Sequence, residues 1–402
     1  MARNFMCTKT DPVVETKAGK LRGFQLDGTY VFHGVKYADA KRFHQPTPVE
    51  PWEGIKNALA YGYVCPMLQQ DQPSNELMVP HRYWPLDENC QYLNIWTQHL
   101  DPNAKKPVLV WLHGGGFAAG SSIEHIAYEG ENMSKYGDVV VISLNHRLNI
   151  LGYLDLSPFG EEYKNSGNAG NADMVAALQW IHENIANFGG DPENVTLFGQ
   201  SGGGMKVWTL MQTPAADGLF HKGVVQSGCI DHFVSGNSTE QNGKAIVTAL
   251  LAELKLDDVK ALETIPYAQL AAAYNKVAPE VAKTGAYVGG NPLANDWYLG
   301  DPLEVGFTEH AKTIPVMVGT VLGEFSFMPA LSEEEKADAA LIDSMIEKRY
   351  GAEGKKLKEM FAEVYPDKDV SDVLFMDSIF RAPSTDFILK KHSTRKAAHI
   401  RI

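Results

Sequence analysis

Apolar and polar positions along the chain sort into runs of three kinds. From residue 13 to 37 they alternate, punctuated by Gly19, Gly23, Gly28 and Gly34, which predicts a meander of short antiparallel strands at a sheet edge. Unbroken apolar runs follow at Pro107–Leu112, Val139–Leu144, Val195–Phe198, Gly223–Ser227 and Ile314–Gly319, the pattern of central parallel strands buried on both faces. Tyr92–Trp96 is also strand-like. Helical spacing separates several of these runs: Val175, Leu178, Ile181 and Ile185 share one side of Ala172–Ile185, and Met205–Met211 is apolar and helix-compatible. The proline-rich stretch from Pro46 to Pro85 predicts loop, and residues 237–310, rich in Ala, Leu and Glu, predict a helical insertion interrupted by Pro266, Pro279 and Pro292. Strands alternating with helices imply an α/β chain with one mostly parallel central sheet, helices on both faces and antiparallel edge strands at its N-terminal end. The whole chain, 1–402, is expected to form a single domain.

Composition narrows the partner. With 44% hydrophobic and 21% charged residues the chain is ordinary globular material, and its formal charge of −13 disfavours nucleic acid or an anionic membrane surface. No apolar run approaches the length of a membrane span. Met1–Glu15 lacks the layout of a secretory signal, which favours the cytoplasm slightly over secretion after signal removal. The four cysteines, Cys7, Cys65, Cys90 and Cys229, show no Cys-x-x-Cys or Cys/His clustering that would suggest zinc, and no metal or cofactor is expected.

The chemistry is expected at Thr196-Leu197-Phe198-Gly199-Gln200-Ser201-Gly202-Gly203-Gly204, where an apolar run breaks into glycines around one serine. A strand, a tight turn and a helix in this order satisfy the Gly-x-Ser-x-Gly pattern of a nucleophile elbow, whose crowded turn needs small neighbours such as Gly199 and Gly203. In a chain with 36 glycines that pattern alone is weak, so the other parts of a serine site carry weight.

His113-Gly114-Gly115-Gly116-Phe117 ends a predicted strand with bare backbone N–H groups able to receive an oxyanion. The same letters, Gly114-x-Gly116-x-x-Ala119, fit a dinucleotide fingerprint, but that reading needs an acid at the end of the next strand, which reads Ser143-Leu144-Asn145. A structural turn is the third reading. Glu324, in a loop after the Ile314–Gly319 run, stands where a triad acid belongs, whereas the acids at 333–337 read as a solvated helix face.

These residues resemble the type B carboxylesterases, the carboxylesterase/cholinesterase/lipase family of the α/β-hydrolase fold. The resemblance runs from about Gly19 to Ser384 and is strongest at Asp87–Trp96, His113–Phe117, Asn168–Gly170 with Ala177–Ile181, Phe188–Gly199 and Gln226–Gly228. It implies a serine carboxylic ester hydrolase acting on a small-molecule ester through an acyl-enzyme: Ser201 as nucleophile, Glu324 as triad acid, and the N–H groups of Gly115, Gly116 and Gly202 as oxyanion donors. It further implies a supporting Ser227, a Cys65–Cys90 disulfide, free Cys7 and Cys229, and ion pairs of Arg42 with Glu88 and Arg147 with Asp173. Gln200 departs from the family's usual glutamate and Gly202 from its usual alanine. A non-catalytic adhesion-type relative is the alternative, but such members usually lose the serine that this chain keeps. Phe117, Tyr83 and Trp84 are candidate pocket aromatics. After Glu324 only His392 and His399 remain. The family's catalytic histidine lies beyond one more strand, which His399–Ile402 would only begin, so it is carried over to neither. The 402 residues are accordingly expected to be part of a longer hydrolase, with Ser201 lacking its base.

Overall fold

The computed structural model describes residues 3–69, 82–230, 242–324, 331–377 and 379–393. Nine strands form its main sheet: β1 (Phe5–Met6), β2 (Phe24–Leu26), β3 (Thr29–Lys36), β4 (Tyr92–Thr97), β5 (Lys106–Leu112), β6 (Val140–Leu144), β7 (Gly190–Gln200), β8 (Lys222–Gln226) and β9 (Val316–Gly319). Their order across the sheet is β1-β2-β3-β4-β6-β5-β7-β8-β9. The sheet divides at the β4/β6 pair: β6, β5, β7, β8 and β9 run parallel, and the pairs from β6 outward through β4, β3, β2 and β1 are antiparallel. It is therefore a mixed sheet whose parallel half carries the site. Every residue of β6 is buried, as its continuous Val-Val-Ile-Ser-Leu run requires of a strand covered on both faces.

The meander read from residues 13–37 is present, though part of it leaves the main sheet: Val13–Glu15 and Lys20–Arg22 pair with each other and with Ile55–Asn57 in a separate three-stranded sheet. Gly189-Gly190-Asp191-Pro192 has the residues of a turn, but Gly190–Pro192 are absorbed into β7. Lys106 pairs with Gly190 and Val108 with Val195, so the intervening residues are accommodated as a bulge.

Helix α1 (Ala169–Asn184) and helix α2 (Gly202–Met211) lie against the parallel half, and every residue of α2 is buried. In the inserted region, α3 (Lys244–Leu254) and α4 (Tyr267–Ala282) pack on each other and share a core cluster with Phe43, Cys65, Cys90 and Leu148–Leu156. Pro279 lies inside α4 rather than ending it, and the region beyond Ala282 is mostly non-helical. The acids expected on a solvated helix face are there, on Glu333–Ala337, started by a reciprocal Ser332–Glu335 capping box. No helix among the described residues is long and apolar enough to cross a membrane.

Both ion pairs form. Arg147 meets Asp173 in a bidentate pair at 2.8 and 2.7 Å, with both side chains buried, and its remaining donors reach the Lys41 and His44 carbonyls at 2.9 Å. Arg42 grips Glu88 and donates to the Leu262 and Ile265 carbonyls at 2.6 and 2.8 Å, tying the inserted region to the N-terminal part.

The disulfide does not form: all four cysteines are free thiols. Cys65 and Cys90 are both buried and their thiols meet, yet the Cys65 Sγ also accepts the Leu148 N–H at 3.2 Å. Burial pushes the Cys90 thiol well above its ordinary pKa, which keeps it protonated and unsuited to exchange.

Candidate active site

The chemistry-bearing residues follow the carboxyl ends of four neighbouring parallel strands, β5, β7, β8 and β9. Ser201 sits between β7 and α2 with φ 56° and ψ −124°, a left-handed conformation that costs a non-glycine residue about 1–3 kcal/mol. Its surroundings hold it there. The Ser201 N–H donates to the Gln226 carbonyl on β8 at 2.8 Å, and its own carbonyl accepts the Met205 N–H at 3.0 Å, starting α2. The flanking glycines are required by close backbone approach: a Cβ on Gly203 would lie 2.0 Å from the Leu112 carbonyl oxygen, and one on Gly199 would lie 2.5 Å from the Gly203 carbonyl carbon.

The glycine loop after β5 lies beside this turn. A Cβ on Gly114 would come within 3.2 Å of the Gln200 carbonyl oxygen and 3.8 Å of Ser201 Cβ. A Cβ on Gly202 would fall 2.3 Å from the Gly116 nitrogen, so the alanine usual in the family does not fit this position of the loop. Gly115 and Gly116 both have left-handed backbones, φ 84° and 62°.

The loop's carbonyls are tied from behind. The Gly114 carbonyl accepts His113 Nδ1–H at 2.9 Å, and the Gly115 carbonyl accepts the Ala118 and Ala119 N–H groups at 3.2 and 3.0 Å. Because N–H and C=O of a trans peptide point in opposite directions, holding these carbonyls turns the Gly115 and Gly116 N–H groups to the other side of the loop. A carbonyl only accepts, so His113 carries its proton on Nδ1. Burial and the nearby Lys206 hold this imidazole well below its usual pKa.

On the other flank, Glu324 accepts hydrogen bonds from the Ser227 hydroxyl and from the Val321 N–H, the latter at 3.2 Å. Ser227 itself is in a left-handed conformation, φ 47°, and its N–H donates to the Gly319 carbonyl at 2.7 Å. The structure thus brings together Ser201, Gly114–Gly116, Gly202, Ser227 and Glu324. His392 lies exposed in the last turn of α5 (Arg381–Ser393), His399 falls outside the described residues, and among the described residues no imidazole is hydrogen-bonded to Ser201.

Of the aromatics, Phe117 is buried and packs edge-on against Tyr153, a core role, while Tyr83 and Trp84 are exposed. Among the described residues no group of three or more His, Cys, Asp or Glu side chains could hold a metal ion. One residue escaped the sequence reading. Lys206 interrupts the apolar run Met205–Met211 with a charge, the one local signal of its role, and it is fully buried behind the glycine loop.

Comparison with known proteins decides the family: the model of the carboxylesterase family matches residues 10–397. The chain belongs to the carboxylesterase family. It is 34% identical to the para-nitrobenzyl esterase of Bacillus subtilis (strain 168) over 94% of this chain and 76% of that protein, and 35% identical to the phenmedipham hydrolase of Pseudarthrobacter oxydans over 85% and 68%. Among solved structures, an esterase from Clostridium hathewayi, titled as able to hydrolyse aliphatic aromatic polyesters, superposes with a TM-score of 0.92 at 56% identity, covering 98% of this chain and 78% of that one. This carboxylesterase therefore has the α/β-hydrolase fold and is a serine hydrolase of carboxylic esters, acting on small-molecule ester substrates.

Proposed function

We propose that Ser201 is the nucleophile and that this carboxylesterase acts on esters bearing an aromatic ring in the acyl or alcohol part. The Ser201 hydroxyl attacks the ester carbonyl, the alcohol leaves with a proton, and water hydrolyses the acyl-enzyme. Gly115, Gly116 and Gly202 donate their N–H groups to the tetrahedral oxyanion. Glu324, steadied by Ser227, is the carboxylate that orients the histidine base of the complete enzyme, a base assigned to no residue of this chain. The observation that carries the assignment is the strained Ser201 backbone at a strand-to-helix turn, directly against the Gly114–Gly116 loop. The aromatic preference is supported by the para-nitrobenzyl and aliphatic aromatic polyester substrates in the names of two relatives. It is also supported by the exposed Tyr83 and Trp84, whose neighbour Arg82 donates its N–H to the Glu124 carbonyl at 2.8 Å, in the segment that continues the glycine loop.

An alkyl phosphonate followed by peptide mapping tests the nucleophile. In the complete enzyme Ser201 is expected to be the only serine modified, and Ser201→Ala to lower kcat by about 10⁴- to 10⁶-fold; retained turnover would end the assignment. For the substrate class, Trp84→Ala is expected to lower kcat/KM on benzoate esters about 3- to 10-fold, the size of one lost aromatic contact, while leaving acetate esters unchanged.

A further inference from the structure

Lys206 is the fifth residue of α2 and has no exposed surface. A buried lysine is costly unless its ammonium finds partners. The Nζ donates to the His113 carbonyl at 2.8 Å and lies 6.0 Å from the centroid of the Phe117 ring. The groups that interact with it are Phe117 and Glu124 from the loop and its continuation, His113 from the end of β5, and His146 after β6, whose ring stacks on His113 with centroids 5.3 Å apart. The Nε2 atoms of both histidines are buried and without a hydrogen-bond partner, and the bond from Lys206 to the His113 carbonyl links α2 to the loop.

That carbonyl belongs to the His113–Gly114 peptide, the first of the loop. The next two peptides are held by the His113 ring and by the Ala118 and Ala119 N–H groups. The first is held by Lys206, from the helix that starts at the nucleophile. We propose that Lys206 is a positioning residue for the oxyanion hole: by fixing the His113 carbonyl it sets the plane of the first loop peptide, and through it the direction of the Gly115 and Gly116 N–H donors relative to Ser201. The inference rests on the oxyanion assignment above. Burial pushes the Lys206 amine down to about 7, with Glu124 opposing the shift, so the amine gives up its proton far more readily than a solvated lysine while keeping N–H groups to donate.

The test replaces Lys206 with methionine, which keeps the unbranched apolar stem and removes the donor. Loss of a whole oxyanion donor costs about 10²- to 10³-fold in kcat, and a misaligned pair is expected to cost about 10- to 100-fold. In the complete enzyme carrying Lys206→Met, kcat on 4-nitrophenyl butyrate should fall by that factor with KM within about twofold, and affinity for an alkyl trifluoromethyl ketone, whose adduct carries the oxyanion, should fall in proportion. Affinity for the product alcohol should not change. Lys206→Gln, uncharged and one bond too short to reach the carbonyl, gives the same comparison if the methionine variant does not fold. Wild-type protein that binds the ketone tightly together with a variant that matches it in kcat and ketone affinity would overturn the role of Lys206 alone. Wild-type protein that fails to bind the ketone would overturn the oxyanion assignment and this inference with it.

Discussion

The two flanks of the candidate site are held by different physics. On the nucleophile side, β7, α2 and the β5 loop meet through backbone contacts so close that no Cβ fits at Gly199, Gly202 or Gly203, and the helix behind them is buried along its whole length. On the acid side, Glu324 follows β9, the last strand of the sheet among the described residues, whose residues are half-buried or exposed, and it is held by two hydrogen bonds from Ser227 and Val321. The first flank is specified by steric exclusion, which is stiff and intolerant. The second is specified by hydrogen bonds, which orient a side chain without locking the fold. Changes on the nucleophile side should therefore alter stability and activity together, and changes on the acid side activity alone.

Gly203→Ala is the sharpest way to break this contrast. Its Cβ would sit against a backbone carbonyl at 2.0 Å, so either β5 or α2 must move. A loss of about 3 kcal/mol or more is expected, together with loss of activity in whatever protein still folds. Denaturant titration beside an active-site titration checks it, and an unchanged midpoint would show that the elbow is softer than its packing indicates. Ser227→Ala works on the other flank: kcat should fall about 10-fold while stability changes by about 1 kcal/mol or less. A large stability loss there would erase the distinction.

Lys206 tests the nucleophile flank through pH. Its folded pKa of about 7 lies below the ordinary 10.5, so between those values the unfolded chain binds the extra proton. Its contribution to stability is complete above the ordinary value and is lost as pH falls toward 7. Relative to Lys206→Met, the wild type should gain stability from pH 7 to pH 10 by up to about 1.4 kcal/mol per pH unit, and the difference should be flat below pH 7. Chemical denaturation of both proteins at pH 6, 7 and 9 measures this. The smallest effect concerns the thiols. Cys65, Cys90 and Cys229 are buried, with Cys229 pushed up to about 12, and Cys7 is partly exposed. Ellman's reagent should react readily with one thiol in the native protein and with four after denaturation; a count of two in the denatured, unreduced chain would restore the Cys65–Cys90 bond.

How legible each part was follows from how far its causes reach along the chain. The strands of the parallel half, the elbow at Ser201 and the glycine loop were readable because apolar runs and glycine placement are local patterns. The same holds for the family resemblance, carried by contiguous motifs that the carboxylesterase match over residues 10–397 bears out. The bulge in β7 was not readable, because Gly189-Gly190-Asp191-Pro192 has turn chemistry whether or not a neighbouring strand recruits it.

What the sequence by itself determined is thus the α/β alternation, the serine at its strand-to-helix break and the ester-hydrolase class. The tertiary structure alone decided that Glu324 is steadied by Ser227, 97 positions away, that Lys206 reaches the His113 carbonyl across 93 positions, and that Cys65 and Cys90 meet as thiols rather than bond. The physical reason is that backbone conformation is biased by neighbours in sequence, whereas the partner of a buried polar side chain is set by which elements the packed sheet brings together. A charge in an apolar run announces that such a partner is needed and does not say where it lies.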